Sequence, residues 1–222
     1  MIPKIIHYCW FGRGEKPQKV IDCIATWKAI LPDYVIKEWN EDNFDYNAFA
    51  YTREAYKLKK YAFVSDVARL YALMTEGGIY LDTDVRVLKK LDVLLENRSF
   101  IGMETPFVVC TAVIGAVAHV KWIEDFYFSY QKKHFIRILG GYKICPNTQT
   151  LSLFLHSRYP ADEKDLNIYG IDVFSVKLYN TGEYIQNENT YTIHEFANSW
   201  KTESLNLIDR FQSLIYRYIK KY

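Results

Sequence analysis

The chain has 222 residues, 50% of them hydrophobic, 17% aromatic and 24% charged, with 10 Gly and 6 Pro. That apolar content offsets the cost of ordering a chain and excludes a disordered or fibrous protein; at roughly 150 residues per domain, the length suits one large α/β domain. The formal charge of +2, from 28 basic and 26 acidic residues, excludes a general polyanion binder, so no nucleic-acid partner is expected.

Taken in order, Ile2 to Tyr8 is a short Ile-rich run followed by Gly12 and Gly14, which predicts a buried first strand and a loop. From Pro17, Val20, Ile21, Ile24, Trp27 and Leu31 recur at helical spacing until Pro32 stops them. Tyr34 to Trp39 alternates like a strand. A helical region spans Thr52 to Glu76, broken or bent near Tyr61, and Gly77-Gly78 supplies its stop. Ile79 to Leu81 is a compact apolar strand running straight into Asp82-Thr83-Asp84. Strand-like runs follow at Phe100 to Met103 and Thr111 to Ala116, and helical ones at Val120 to Tyr130 and Thr148 to His156. The tail from Ser204 reads as one more amphipathic helix. This order predicts an α/β fold with a mostly parallel central sheet, a single domain over 1–203, and a helix over 204–222 that belongs or is appended to it.

The opening MIPKIIHYCWFG shows no signal-peptide core, because Pro3 and Lys4 interrupt it, and no run approaches the ~20 apolar residues of a membrane span. Cys9, Cys23, Cys110 and Cys145 lie far apart without C-x-x-C spacing, which fits reduced thiols better than a disulfide framework or a zinc site. The chain is therefore expected to be cytoplasmic.

Ligands of open α/β sheets sit at the carboxyl ends of strands. Asp82 and Asp84 stand at such a point, and in an extended segment residues i and i+2 share a face, so both carboxylates can converge on one cation. Carboxylate oxygens suit Mg²⁺ or Mn²⁺, usually with substrate phosphate completing the shell. A D-x-D triplet alone is common in solvated turns; the whole string GGIYLDTD carries the signal. Upstream, Asp66 and Arg69 are three apart and share a helix face. An exposed pair of this kind contributes only about 0.3 kcal/mol. The flanking Val64, Val67, Leu70, Leu73 and Met74 point instead to a buried pair held for a purpose, such as gripping the hydroxyls of a polar ligand.

The string KYAFVSDVARLYALMTEGGIYLDTDV resembles the nucleotide-sugar-binding segment of glycosyltransferase family 32, which includes yeast mannosyltransferases and bacterial capsular polysaccharide transferases. It is also similar in motif to the glucosylating domain of large clostridial toxins. IPKIIHYCWFG and CIATWKAILPDYVIKEWNEDNFD resemble the family's opening, and IHEFANSW its C-terminal HHxAxSW motif. The likeness is dense over residues 1 to 104, recurs at 191 to 200 and is thin between. It implies a GT-A fold and a retaining transferase that uses Mn²⁺ or Mg²⁺ and a UDP- or GDP-linked hexose. It further implies that Asp82 and Asp84 reach metal, ribose and diphosphate, that Asp66 and Arg69 hold donor-sugar hydroxyls, that Tyr80 lies against the nucleotide and that Trp10 stacks on its base. Asn147, in CPNTQT, would lie near the donor sugar, and Ser199 and Trp200 at the diphosphate. The usual double His is His194-Glu195 here and the usual Gly of AGSW is Asn198, so His194, Glu195 and Asn198 all stand as metal ligands to be sorted.

Sugar transfer breaks an anomeric C–O bond through an oxocarbenium-like transition state, and its principal need is neutralisation of the departing diphosphate. The implied acceptor is a glycan, with an undecaprenyl-diphosphate-linked one as the option that would place the enzyme at the inner face of the plasma membrane. In the tail, Leu207, Ile208, Phe211, Leu214, Ile215, Tyr218 and Ile219 form one stripe beside Arg210, Arg217, Lys220 and Lys221. Packing on the body and contact with a membrane surface explain that stripe equally well. Two rivals remain. A haloacid-dehalogenase-like phosphohydrolase also places D-x-D after a strand, but continues with Thr or Val where this chain has Arg86. A non-catalytic glycan-binding module would be expected to have lost one acid, and both are present.

Overall fold

The computed structural model describes residues 1–136, 145–159, 165–177 and 182–196. Asn198, Ser199, Trp200 and the helix expected from Ser204 lie outside the described residues. In chain order the elements are β1 (Ile5–Cys9), α1 (Gln18–Ile30), β2 (Val35–Trp39), α2 (Ala50–Lys57), α3 (Tyr61–Glu76), β3 (Gly78–Leu81), β4 (Val85–Val87), β5 (Ser99–Thr105), β6 (Val108–Ala116), α4 (Lys121–Phe128), α5 (Asn147–Arg158), β7 (Asn167–Tyr169), α6 (Ile171–Phe174) and β8 (Thr192–His194). The helical region predicted over 52–76 is two helices, and the chain between them turns at Lys59, whose φ is 57°.

Six strands form one sheet in the order β2-β1-β3-β6-β5-β7. The ladders β1–β2, β1–β3 and β5–β7 are parallel and the two involving β6 with β3 and β5 are antiparallel, so the sheet is mostly parallel as expected. β4 and β8 make a separate antiparallel pair, joining segments more than a hundred residues apart. Apolar side chains fill both faces. Phe63, Val64, Val67, Leu70 and Leu73 of α3 pack with Trp122 and Phe126 of α4 in one cluster. Val20, Ile24 and Trp27 of α1 pack with Val85, Val87 and Phe174 in the other. Removing a side chain of this size from water contributes roughly 1.5–3 kcal/mol each. Among the described residues no helix is long and apolar enough to cross a membrane.

The turn from α3 into β3 requires both of its glycines. Gly77 and Gly78 have φ of 64° and 112°, and a Cβ on Gly78 would lie 2.7 Å from the Ile5 carbonyl oxygen. His7, fully buried, closes the same corner. Its Nδ1 accepts the indole N–H of Trp39 at 3.0 Å, which leaves Nε2 to donate to the Gly77 carbonyl at 2.7 Å. Burial lowers the pKa of His7, in keeping with a neutral ring that anchors a loop rather than a base. Trp27, Trp39 and Trp122 are buried in the core. All four cysteines are free thiols, three of them buried.

Candidate active site

The alternation of side chains along β3 decides what meets what. Ile79 and Leu81 enter the core on the α1 side, whereas Tyr80 enters the core on the α3 side. Asp82 follows Tyr80 in that alternation, and the Tyr80 hydroxyl donates to Asp82 Oδ1 at 2.8 Å. The two acids do not converge by strand alternation, though. After Leu81 the chain turns, with the Val85 N–H on the Asp82 carbonyl at 3.0 Å, and the turn brings Asp84 round. Asp84 then meets His194, whose Nε2 lies 3.3 Å from Asp84 Oδ1. The β4–β8 register makes this pairing: the Glu195 N–H donates to the Asp84 carbonyl at 3.0 Å, next to Val85 opposite His194. One ligand atom each from Asp82, Asp84 and His194 lies within 4.8 Å of the others.

Beside this cluster sits a buried ion pair. Asp66 and Arg69 are 8% and 5% exposed, and Arg69 NH2 lies 2.9 Å from Asp66 Oδ1 and 3.3 Å from Asp82 Oδ1. Its NH1 donates to the Thr111 carbonyl at 2.6 Å, and the guanidinium lies over the Tyr80 ring at 4.6 Å. Burial raises the pKa of Asp66 to about 6, against the pull of Arg69, and Asp82 adds to the rise. Burial disfavours the charged form of Arg69, but Asp82, Tyr80 and Asp66 outweigh it and hold the guanidinium as a permanent cation. Burial also lowers the tendency of His194 to protonate, and the hydrogen bonds and charges of Asp84 and Cys110 reverse this and raise its pKa.

The other residues named from the sequence fall out as follows. Trp10 follows β1, which lies beside β3, so its half-buried indole stands at the same end of the sheet as Asp82. Its N–H donates to the Gly14 carbonyl at 2.7 Å, and Lys16 lies 5.6 Å from its ring. Asn147 opens α5 and is buried, with its Oδ1 accepting from the Tyr130 hydroxyl at 3.2 Å. Asn147 is near enough to Asp66 to favour the carboxylate, yet its Nδ2 makes no regular hydrogen bond among the described residues. Tyr80 differs from expectation. At 2% exposure it offers no face to a nucleotide, because the packing of Arg69 over its ring covers it, and it orients Asp82 instead. Glu195 also differs: Lys177 and Arg86 take its carboxylate, and His194 is the neighbour that joins the acid pair.

Sequence reasoning missed Cys110, whose Sγ lies 4.0 Å from His194 Nδ1, and the Thr111 carbonyl that receives Arg69. Both sit on β6, and only its antiparallel register with β3 brings them to the site. Two carboxylates and an imidazole at this separation fit a divalent cation of the Mn²⁺ or Mg²⁺ type, the nitrogen leaning toward Mn²⁺.

Residues 17–101 match the family model described as the glycosyltransferase sugar-binding region containing a DXD motif. This stretch is similar to a glycosyltransferase sugar-binding region. It includes Asp66, Arg69, Tyr80, Asp82 and Asp84. Over 122 residues the chain is 31% identical to inositol phosphoceramide mannosyltransferase 3 of Schizosaccharomyces pombe, covering 51% of this chain and 33% of that protein. Inositol phosphoceramide mannosyltransferase 2 of the same yeast is 26% identical over 215 residues, 94% of this chain and 61% of its own length. The chain thus spans less than two thirds of these curated relatives. Among solved structures, the PaToxG glycosyltransferase superposes with a TM-score of 0.50 at 21% identity, over 72% of this chain and 70% of that one. The fold is therefore α/β of the GT-A type.

Proposed function

We propose that this protein is a metal-dependent, retaining glycosyltransferase that moves a hexose from a UDP- or GDP-linked donor to a glycan acceptor. The observation that carries the reading is the convergence of Asp82, Asp84 and His194 within 4.8 Å at the carboxyl end of a central strand, with both aspartates inside the matched region. A divalent cation held there would act as a Lewis acid on the donor diphosphate. Tyr80 and Arg69 fix the Asp82 carboxylate in place for it, and His194 fixes Asp84. Asp66 and the Asn147 amide, which makes no regular hydrogen bond through Nδ2 among the described residues, supply an acceptor and a donor for sugar hydroxyls. Trp10 lies at the same end of the sheet, where its ring can cover a base.

The names of the relatives favour mannose as the sugar and a lipid-bearing acceptor. A lipid-linked glycan of a surface or capsular polysaccharide, met at the inner face of the membrane through the basic C-terminal sequence, is the acceptor and location proposed here. The match covers the D-x-D string itself, which supports sugar transfer over the phosphohydrolase, and the intact acid pair supports catalysis over mere binding.

A panel of UDP- and GDP-sugars, each with and without Mn²⁺, tests the reading by thermal shift. At least one should raise the melting temperature only when Mn²⁺ is present, and Asp84→Ala should abolish that rise. No metal-dependent shift with any donor would refute it.

A further inference from the structure

Glu195 stands one residue beyond His194, yet its carboxylate turns away from the acid pair into a group of cations. Oε2 lies 3.0 Å from Lys177 Nζ and 3.3 Å from the Tyr184 hydroxyl, and Oε1 lies 3.3 Å from Arg86 NH2. Lys177 Nζ also reaches the Glu195 carbonyl at 3.4 Å. The carboxylate side chain is 15% exposed, while that of Arg86 is 45% exposed. Burial works against ionisation of Glu195, but Lys177, Arg86 and Lys19 outweigh it and hold the carboxyl below its ordinary range. Two basic side chains and a phenol thus enclose one small anion. Through its N–H, Glu195 is also hydrogen-bonded to the Asp84 carbonyl, so this enclosure begins where the metal cluster ends.

We propose that Lys177, Arg86 and Tyr184 form a phosphate-binding nest beside the metal cluster, and that Glu195 is its resident anion, displaced when the diphosphate of the donor or of the product nucleotide enters. The chemistry of the nest is that of a phosphate site: Arg and Lys are the common partners of phosphoryl oxygens, and a carboxylate is the nearest mimic of them that a protein carries. Arg69 lies on the Asp82 side of the cluster and is buried, fully engaged with Asp66, Asp82, Thr111 and Tyr80. Arg86 and Lys177 lie on the Asp84 side and are reachable from solvent. They flank Glu195, whose N–H is bonded to the Asp84 carbonyl, and releasing Glu195 would offset part of the cost of recruiting them to an entering diphosphate. The assignment of the diphosphate as the natural occupant rests on the transferase reading; the existence of an anion nest governed by Glu195 does not.

Titration of the full chain with inorganic pyrophosphate in the absence of metal, followed by calorimetry, tests the nest directly. Glu195→Gln should bind pyrophosphate about tenfold more tightly than the wild type, since it removes a competing charge without removing volume. Arg86→Met and Lys177→Met should each weaken binding about tenfold or more. Binding of Mn²⁺ alone, measured on the same variants, separates the alternative that Glu195 is a metal ligand. In that case Glu195→Gln would weaken Mn²⁺ and leave pyrophosphate unimproved, and this result overturns the proposal. Wild-type binding that neither Arg86→Met nor Lys177→Met reduces also overturns it. If the nest behaves as expected while no nucleotide sugar binds with Mn²⁺, the transferase reading fails and the anion site stands.

Discussion

Replacing Arg69 with Met removes the cation that three oxygens share while keeping most of the volume. In the wild type the guanidinium lies 2.9 Å from Asp66, 3.3 Å from Asp82 and 2.6 Å from the Thr111 carbonyl, all at a site only 5% exposed. Breaking a buried pair by deleting one partner commonly costs about 3–5 kcal/mol. Here part of that cost has an escape, because Asp66 can take up a proton. Its pKa is already about 6, so going from charged to neutral at pH 7 adds only about 1 kcal/mol. The Thr111 carbonyl, left without its donor, adds about 1–3 kcal/mol. Arg69→Met should therefore lose about 3 kcal/mol at pH 7, and about 1 kcal/mol less at pH 5, where Asp66 is neutral in both proteins. Urea unfolding followed by tryptophan fluorescence at the two pH values measures both quantities. A loss below about 1 kcal/mol at pH 7, or one that grows as the pH falls, refutes the view that Arg69 chiefly compensates Asp66 and neighbouring oxygens.

The raised pKa of Asp66 has its own signature. The folded protein holds this proton more tightly than the unfolded chain, so its stabilising effect is complete below about pH 4 and fades as the pH rises through about 6. The stability of the wild type relative to Asp66→Asn should consequently fall by up to about 3 kcal/mol between pH 4 and pH 7, and a flat or rising difference in urea midpoints would contradict this. Gly78→Ala places a methyl 2.7 Å from the Ile5 carbonyl at φ 112° and should cost about 2 kcal/mol or more, which the same unfolding experiment reads; a neutral result would mean the corner relaxes freely. Mn²⁺ should bind the free protein weakly and bind tighter once UDP or GDP is present, with an equal gain for the nucleotide; calorimetry in both orders of addition checks it, and independent binding would refute it.

Much of the fold could be read from residue patterns because its deciding signals are local. The Gly77-Gly78 stop, the apolar β3 and the acids after it lie within eight residues, and the helical stripes of α1 and α3 are long enough to show their period. What escaped depends on register. β4, β7 and β8 have three residues each, too few for alternation to register, and the β4–β8 pairing joins 85–87 to 192–194. That distant pairing selects His194 over Glu195 as the neighbour of Asp84, and no local pattern encodes it. Likewise the buried state of Asp66 and Arg69 was foreseeable from the apolar residues around them, but the Thr111 carbonyl that completes the site was not. The convergence of Asp82 and Asp84 was foreseen with the wrong geometry, since a turn rather than an extended segment brings them together.

The charges around the acid pair are balanced from opposite sides. Arg69 and the Tyr80 hydroxyl engage Asp82, whereas His194 engages Asp84, and Lys177 and Arg86 engage Glu195. A cation arriving alone must therefore compete with a fixed guanidinium 3.3 Å from one ligand oxygen and with an imidazole 3.3 Å from another. A diphosphate arriving alone, even where Arg86 and Lys177 attract it, meets two carboxylates that repel it. Arriving together, each would remove the other's obstacle: the metal would shield the acids, and the phosphates would add ligand oxygens to those of Asp82 and Asp84. Strong coupling between metal and nucleotide is thus the outcome expected from the separation of charges at the end of β3, whereas a pair of carboxylates with uncompensated charge would bind the metal by itself.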